Sequence, residues 1–159
     1  MTEHETGRLV TDEAEIARVA GAAKRVAVLG IKTEQQADQP AFYVPQYLQT
    51  AGVTLVPVPV YYPKVAQILG EPVYRRLADV PGELDILDVF RRPEDLPQHL
   101  DDILAKRPKL VWLQSGIRHT EFAQALVRAG IDVVQDRCLM VDHRRAMRMA
   151  GALRDGAPR

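Results

Sequence analysis

The sequence predicts an α/β fold: a doubly wound, five-stranded parallel sheet with helices on both faces. Five short apolar segments recur along the 159 residues, and helical patterns separate them. Four of the five segments are almost continuously apolar, which is typical of strands buried on both faces of a parallel sheet. Right-handed crossovers and short connections favour the Rossmann-like strand order 3-2-1-4-5, which we therefore expect.

The two ends of the chain are predicted to be flexible tails, over residues 1–10 and 151–159, because they are polar and lack apolar periodicity. A single domain is predicted between them, over residues 11–150. Its first helix is expected over residues 12–21, with Thr11 as its cap.

The middle of the chain then alternates between strands and helices. Residues 25–30 form the first predicted strand, ending at a glycine, and residues 40–50 form a helix with proline in its first turn. The second strand is predicted over residues 53–58. Residues 59–82 contain four prolines and are predicted to be a long surface excursion with a helical turn or two. The third strand follows over residues 84–90.

The last part of the chain repeats the alternation twice. Helices are predicted over residues 93–106, 120–129 and 139–149, each with apolar residues spaced for one face. The fourth and fifth strands are predicted over residues 110–113 and 131–134.

The composition limits the classes of ligand and location. Lys plus Arg and Asp plus Glu both total 21, so the chain has no net charge to attract nucleic acid or an anionic membrane. One cysteine and four scattered histidines exclude a disulfide framework and indicate no metal site. No apolar run approaches the ~18 residues that span a bilayer. We expect a cytoplasmic protein that holds its ligand by local groups.

The segments that follow the strands are the candidate binding site, because open parallel sheets bind ligands beyond the carboxyl ends of their strands. The strand order is expected to reverse between the first and fourth predicted strands. In the first turn, Gly30 lets the backbone approach a phosphate, and Lys32 and Thr33 add a charge and a hydroxyl. A plain turn with a solvated lysine remains the alternative. The glycine signatures of NAD and ATP sites are absent.

Two later segments carry further candidates. Arg91 and Arg92, after the third strand, suit bidentate phosphate contacts, or they pair with nearby acidic residues on the surface. Gln114 and Ser115, after the fourth strand, suit a polar ligand. Ser115 lacks the glycine two residues before it that a hydrolase nucleophile elbow requires.

The last candidate lies after the fifth strand. Cys138 with His143 suggests an activated thiolate. The alternative is that Asp136 or Asp142 pairs with Arg137 or His143 to fasten the last helix, with Cys138 as a small buried apolar group.

Five motifs occupy these positions. They are Val-Leu-Gly at 28–30, Tyr-Val-Pro-Gln-Tyr-Leu at 43–48, Asp-Ile-Leu-Asp-Val-Phe-Arg at 85–91, Val-Trp-Leu-Gln-Ser-Gly-Ile at 111–117 and Asp-Arg-Cys-Leu-Met-Val-Asp-His at 136–143. Together they resemble the small bacterial CoA-binding proteins, which are stand-alone versions of the CoA-binding Rossmann domain that opens the succinyl-CoA synthetase alpha subunit. The resemblance covers roughly residues 12–147.

The resemblance implies that coenzyme A (CoA) or an acyl-CoA lies across the carboxyl edge of the sheet. The first turn would hold the diphosphate, the loop after the second strand the adenosine, and the residues after the fourth strand the thiol-bearing arm. The implied cofactor-binding residues are Gly30, Ile31, Lys32, Thr33, Val58, Pro59, Tyr61, Val89, Phe90, Arg91, Arg92, Gln114, Ser115, Gly116 and Ile117.

The resemblance also implies binding without catalysis, because nothing in the chain resembles the second domain of the synthetase, which carries the phosphorylated histidine. Two alternatives stay open. In the first alternative, the chain is a nucleotide-responsive interaction protein that prefers another dinucleotide. In the second, it is a thiol-dependent enzyme that uses Cys138.

Overall fold

The computed structural model describes residues 6–156, with side chains up to residue 152. In chain order its helices and strands are α1 (Glu13–Ala22), β1 (Arg25–Leu29), α2 (Pro40–Thr50), β2 (Thr54–Val58), β3 (Gln67–Ile68), β4 (Glu71–Pro72), β5 (Ile86–Val89), α3 (Leu100–Lys106), β6 (Leu110–Leu113), α4 (Thr120–Arg128), β7 (Asp132–Val134) and α5 (Leu139–Gly156). The five predicted strands correspond to β1, β2, β5, β6 and β7, while β3 and β4 form a small antiparallel hairpin.

The main sheet is parallel and has the order β2-β1-β5-β6-β7, which confirms the doubly wound α/β class. The segment after β4 lies beside β2, where the Tyr74 N–H donates to the Pro57 carbonyl oxygen at 2.9 Å. With this segment taken as the third strand, the sheet follows the 3-2-1-4-5 pattern.

The third strand of the sequence prediction, residues 84–90, therefore does not lie at the edge. It contains β5, which pairs with β1 on one side and β6 on the other. The strand order consequently reverses between β1 and β5. The segment beside β2 shows no strand pattern in the sequence, because prolines interrupt residues 59–82.

Two apolar layers enclose the sheet. On one face, α1, α2 and α5 contribute Ile16, Phe42, Leu48 and Leu139 to a buried cluster that includes Trp112. On the other face, α3, α4 and a 3₁₀ turn at Leu77–Asp79 pack against the sheet. Successive residues of a strand contribute side chains to opposite layers, as expected for strands covered on both sides.

The structure corrects both ends of the predicted domain. The Val10 N–H donates to the Val133 carbonyl oxygen at 2.8 Å and the Val133 N–H to the Arg8 carbonyl oxygen at 2.9 Å, so residues 8–10 run along β7. The Gly7 N–H donates to the carbonyl oxygen of Val127 in α4 at 2.8 Å. The last helix continues to Gly156, because a single glycine at position 151 costs only about 1 kcal/mol among strong helix formers. Residues 1–5 and 157–159, the remainder of the predicted tails, lie outside the described part.

Two helix predictions also change in detail. Asp12, not Thr11, caps α1, since its carboxylate accepts the Glu15 N–H at 2.9 Å. Residues 93–99 form two 3₁₀ turns rather than the start of α3. Pro97 has no N–H to donate to the Pro93 carbonyl oxygen, as a continuous α-helix over this segment would require, although Leu96 before it has helical φ and ψ of −65° and −42°.

A cluster of ion pairs fixes the start of α5. Buried Asp142 accepts two hydrogen bonds from Arg137, at 2.7 and 3.0 Å. The same guanidinium donates to Glu13 of α1 at 2.7 and 3.0 Å. This confirms the predicted pairing of Asp142 with Arg137, and it holds the first turn of α5 against α1.

A second buried carboxyl, Asp88, lies in the centre of the sheet and is wholly buried between Val28 and Trp112 in register. Neither carboxyl oxygen has a hydrogen-bond partner among the described residues. Burial raises the pKa of the Asp88 carboxyl well above its ordinary value, because the charged form loses its hydration. The folded protein therefore keeps the Asp88 carboxyl neutral up to a higher pH than the unfolded chain does.

This arrangement predicts a pH dependence of stability. Asp88 stays protonated when folded and ionises above about pH 4 when unfolded. Its contribution to the free energy of unfolding should thus fall as the pH rises from about 4 towards the raised folded pKa, by up to about 1.4 kcal/mol per pH unit. Asp88→Asn should remove this slope, as measured by urea unfolding between pH 4 and 8. Asp101→Asn, at an exposed position of α3, is the control, and parallel curves for Asp88→Asn and the wild type would contradict the prediction.

Candidate functional site

A cavity of about 660 Å³ opens at the carboxyl edge of the sheet. The residues that follow β1, β5 and β6 form part of it, and the first turns of α2 and α5 close it on one face. Its lining residues are Lys32, Gln39, Pro40, Ala41, Tyr43, Phe90, Arg91, Arg92, Pro93, Gln114, Ser115, Gly116, Ile117, Cys138, Met140 and Val141. It lies at the point where the strand order reverses, which is where doubly wound sheets bind ligands.

The charge of the lining is one-sided. Lys32, Arg91 and Arg92 line the cavity, and no acidic residue within residues 6–152 does, although the chain carries equal numbers of acidic and basic residues. Low-dielectric walls with one sign of charge concentrate the field that attracts an opposite charge. The cavity is therefore suited to an anion.

The first turn depends on Gly30. This residue has a φ of 85°, and a Cβ added to it would lie 2.3 Å from the Phe90 carbonyl oxygen and 3.3 Å from the Arg91 Cδ. Only glycine lets the end of β1 pass this close to the end of β5. The missing side chain also leaves room for Arg91.

Lys32 is held over the start of α2. Its backbone N–H donates to the Ala41 carbonyl oxygen at 3.1 Å, and its ammonium donates to the Gln39 side chain at 2.5 Å. The Ala41 carbonyl oxygen has no partner from its own helix because the residue four positions later, Pro45, has no N–H. Thr33 turns away and caps the 3₁₀ turn at Glu34–Gln36.

Arg91 is the buried cation of the site, with 8% of its side chain exposed. Its Nε donates to His99 Nε2 at 3.1 Å, and its guanidinium lies 5.8 Å from the centre of the Tyr61 ring. Burial, followed by the charge of Arg91, lowers the pKa of His99, so the neutral ring remains an acceptor. The Asp95 carboxylate lies 3.8 Å from the Arg91 guanidinium.

Arg92 differs from Arg91. Its side chain is 72% exposed and pairs with Asp95 at 3.0 Å and Glu94 at 3.8 Å. The predicted surface pairing thus holds for Arg92, whereas Arg91 lies in the cavity lining with most of its side chain buried.

The loop after β6 presents polar groups. Gln114 is buried and its Oε1 accepts the Leu139 N–H at 3.0 Å, while its amide nitrogen has no partner among the described residues. The Gly116 N–H donates to the Asp136 carboxylate at 2.6 Å, and this bond lowers the pKa of Asp136. Asp136 therefore shapes this loop, rather than pairing with Arg137 or His143.

The structure brings together eight of the fifteen predicted site residues in the cavity lining. Val58 and Pro59 instead line a separate cavity of about 160 Å³ together with His99. Tyr61 is largely exposed. The remaining four residues do not line either cavity: Gly30, Ile31, Thr33 and Val89.

Other lining residues were not singled out as ligand contacts. They come from the segment that opens α2, from the position after Arg92 and from the start of α5: Gln39, Pro40, Ala41, Tyr43, Pro93, Cys138, Met140 and Val141. The one sequence feature that pointed to any of these lining residues was the proline at the predicted start of α2. The sequence does not indicate which helix starts face the cavity.

The candidate catalytic pairs are not formed. His143 is buried and its Nδ1 is 2.8 Å from the Tyr47 hydroxyl, and no hydrogen bond joins it to Cys138 among the described residues. His119 Nδ1 accepts the Phe122 N–H at 3.0 Å and caps α4, so it is not available to activate Ser115.

Two further searches cover the described residues only. No group of three or more His, Cys, Asp or Glu side chains there is arranged to hold a metal ion. Over the same residues, no helix combines the length and the apolar character needed to cross a membrane.

The fold and site define a class: a Rossmann-like domain with a basic cavity at the switch point of its sheet. The sequence profile of the CoA binding domain family matches residues 24–144, so the chain belongs to that family.

Known relatives agree with this assignment. The uncharacterized protein YneT of Bacillus subtilis (strain 168) is 32% identical over 131 residues, which are 82% of this chain and 93% of YneT. The Thermus thermophilus protein called cell-free ID.343 is 46% identical, with a TM-score of 0.77 over 86% of this chain and 99% of its own. A hypothetical protein from Pyrococcus horikoshii OT3 is 26% identical, with a TM-score of 0.76 over 86% and 93% of the two chains.

The close approach at Gly30 predicts a large difference between two glycine substitutions. Gly30→Ala introduces both an unfavourable φ and a clash with the backbone of Phe90, and should lower the free energy of unfolding by at least about 2 kcal/mol. Gly52 has a φ of 98° but no atom within 4 Å of an added Cβ, so Gly52→Ala should lose only about 1–2 kcal/mol. Urea unfolding measures both, and equal losses would show that the Phe90 contact is unimportant.

Proposed function

We propose that this protein binds CoA across the carboxyl edge of its sheet and does not itself catalyse a reaction. The observation that carries the proposal is the cavity lining, which has three basic and no acidic side chains among the described residues, in a chain of zero net charge. CoA carries its negative charge on phosphates and has a long, mostly uncharged pantetheine arm. Membership of the CoA binding domain family supports the same ligand.

The diphosphate is proposed to lie at the first turn of α2. The N-terminus of a helix favours anions through its dipole and its free N–H groups. Here Pro40 has no N–H, and the Ala41 N–H has no acceptor among the described residues. The Lys32 ammonium lies beside this turn, where it donates to Gln39, and would add the matching charge.

Arg91 is proposed to be the main phosphate anchor. Its guanidinium is already oriented by His99 and by the face of Tyr61, so little side-chain entropy is lost when it binds an anion. Arg92 is exposed and engaged with Asp95 and Glu94. We therefore assign Arg92 a smaller part.

The adenosine is proposed to lie towards the smaller cavity lined by Val58 and Pro59. The loop after β2 that flanks this cavity is held by Arg75, whose guanidinium donates to the carbonyl oxygens of Tyr61, Tyr62 and Val65 at 2.6–3.0 Å. The pantetheine arm would then cross Phe90 and end near Gln114 and Ser115.

The hydrogen bonds of two histidines support binding without catalysis. His143 and His119, the bases that would activate Cys138 or Ser115, are engaged in structural hydrogen bonds.

The free cysteine Cys138 is consistent with a reducing compartment, and we propose a cytoplasmic protein. Its proposed partner is a small nucleotide ligand.

The test is isothermal titration calorimetry with CoA, NAD and NADP, together with thermal unfolding, since a ligand that binds the folded state raises its stability. CoA should bind and raise the Tm, whereas NAD and NADP should bind weakly. Absence of CoA binding, or tighter binding of NAD or NADP, would refute the proposal.

Variants of the basic residues sharpen this test. Arg91→Gln should weaken CoA binding by roughly 10- to 100-fold, the value of one charge-assisted hydrogen bond or pair. Arg92→Gln should weaken it by less than Arg91→Gln. Arg128→Gln, at an exposed position at the end of α4, is the matched control and should leave the Kd unchanged. An Arg92 effect larger than that of Arg91 would contradict the assignment.

A further inference from the structure

We propose that the cavity is built for an acyl thioester of CoA with an apolar acyl chain, rather than for free CoA. In this proposal the amide nitrogen of Gln114 donates to the thioester carbonyl oxygen, and Tyr43, Met140 and Val141 contact the acyl chain. The inference rests on the proposed CoA binding and narrows it to a class of ligand.

The Gln114 side chain supplies a donor that the protein leaves unused. It is only 3% exposed, it lines the cavity, and its amide nitrogen has no acceptor among the described residues. Its orientation is fixed, because the Leu139 N–H is a donor and requires the amide oxygen on its side. The described buried side-chain N and O atoms without a partner are those of Asp88 and Arg145, so the Gln114 nitrogen is reached by solvent from the cavity. A bound ligand would replace that solvent with its own acceptor.

A carbonyl oxygen is the acceptor that matches this donor. The phosphates of CoA suit the cationic groups at Lys32 and Arg91, and a free thiol is only a weak acceptor. The pantetheine arm of CoA has amide carbonyl oxygens, but they lie back from its thiol end, which is proposed to lie near Gln114. At that end only a thioester supplies a carbonyl oxygen, next to the sulfur. Gln114 would therefore distinguish an acyl-CoA from CoA itself.

An apolar wall lies beside this donor. Tyr43 and Val141 are 37% and 51% exposed, large for apolar side chains, and both line the cavity next to Met140. Single exposed apolar residues are ordinary, but a group of them at a cavity marks a binding surface. Tyr47, one turn after Tyr43 in α2, has its hydroxyl 2.8 Å from Nδ1 of His143 in α5, so this contact joins the two helices that carry the wall.

The donor and the wall are adjacent. Gln114 Oε1 is 3.0 Å from the Leu139 backbone nitrogen, and Met140 and Val141 are the next two residues of α5. A carbonyl group bound to the Gln114 amide would thus project its acyl chain along the first turn of α5. No acidic residue of the described part lines the cavity, and Lys32, which does line it, already donates to Gln39.

The wild-type protein tests the proposal with four ligands in calorimetry: CoA, hexanoyl-CoA, succinyl-CoA and S-hexyl-CoA, a thioether that has the chain but no carbonyl. Hexanoyl-CoA should bind about tenfold or more tightly than CoA, because each buried methylene contributes about 0.8 kcal/mol and the wall covers the chain only in part. S-hexyl-CoA should fall between the two. Succinyl-CoA should bind more weakly than hexanoyl-CoA.

Three variants separate the two parts of the site. Gln114→Glu keeps an oxygen for the Leu139 N–H but has no N–H to donate, so the preference for hexanoyl-CoA over S-hexyl-CoA should disappear. Val141→Ser should reduce the preference for hexanoyl-CoA over CoA. Met149→Ser changes an exposed apolar residue of the same helix outside the cavity lining and should change neither ratio.

The outcomes are distinct. If none of the four ligands binds, the proposed CoA function fails. If CoA binds and hexanoyl-CoA binds no more tightly, or succinyl-CoA binds more tightly than hexanoyl-CoA, the apolar acyl site is overturned while CoA binding stands. Equal binding of hexanoyl-CoA and S-hexyl-CoA by the wild type would overturn the role of Gln114.

Discussion

The close approach of the ends of β1 and β5 is the constraint on which the candidate site depends. A Cβ at Gly30 would lie 2.3 Å from the Phe90 carbonyl oxygen, so the two strands can meet here only without a side chain. Because these strands also mark the reversal of strand order, the same contact positions Phe90 and Arg91, which line the cavity. The Arg91 side chain packs beside Gly30 and is buried there as a cation.

Two helix starts are attached to the loops at the carboxyl edge of the sheet by hydrogen bonds, one between backbone groups and one to a side chain. The Lys32 N–H donates to Ala41 in α2, whose carbonyl oxygen is free because Pro45 has no N–H. The Leu139 N–H at the start of α5 donates to the Gln114 side chain. Each bond joins a helix to a loop at the carboxyl edge of the sheet. The basic groups and the apolar wall are therefore positioned by the same scaffold.

Much of the fold was predictable because each strand is a short apolar segment with a glycine, a proline or a helical pattern beside it. The helices also followed from local spacing, except over residues 93–99, where Pro97 prevents a continuous helix. The segment that lies beside the edge strand β2 was not predictable. It is joined to β2 by a hydrogen bond from the Tyr74 N–H to the Pro57 carbonyl oxygen, and its prolines are typical of a loop.

The sequence by itself determined the alternation of strands and helices and placed Lys32, Arg91 and Gln114 at strand ends, where a doubly wound sheet binds its ligand. Only the tertiary structure decided that Arg91 is buried while its neighbour Arg92 is exposed, and that Tyr43 and Val141 border the same cavity as Gln114. Local residue patterns specify which face of an element is apolar. They do not specify which distant elements meet, since that depends on how the helices pack against both faces of the sheet.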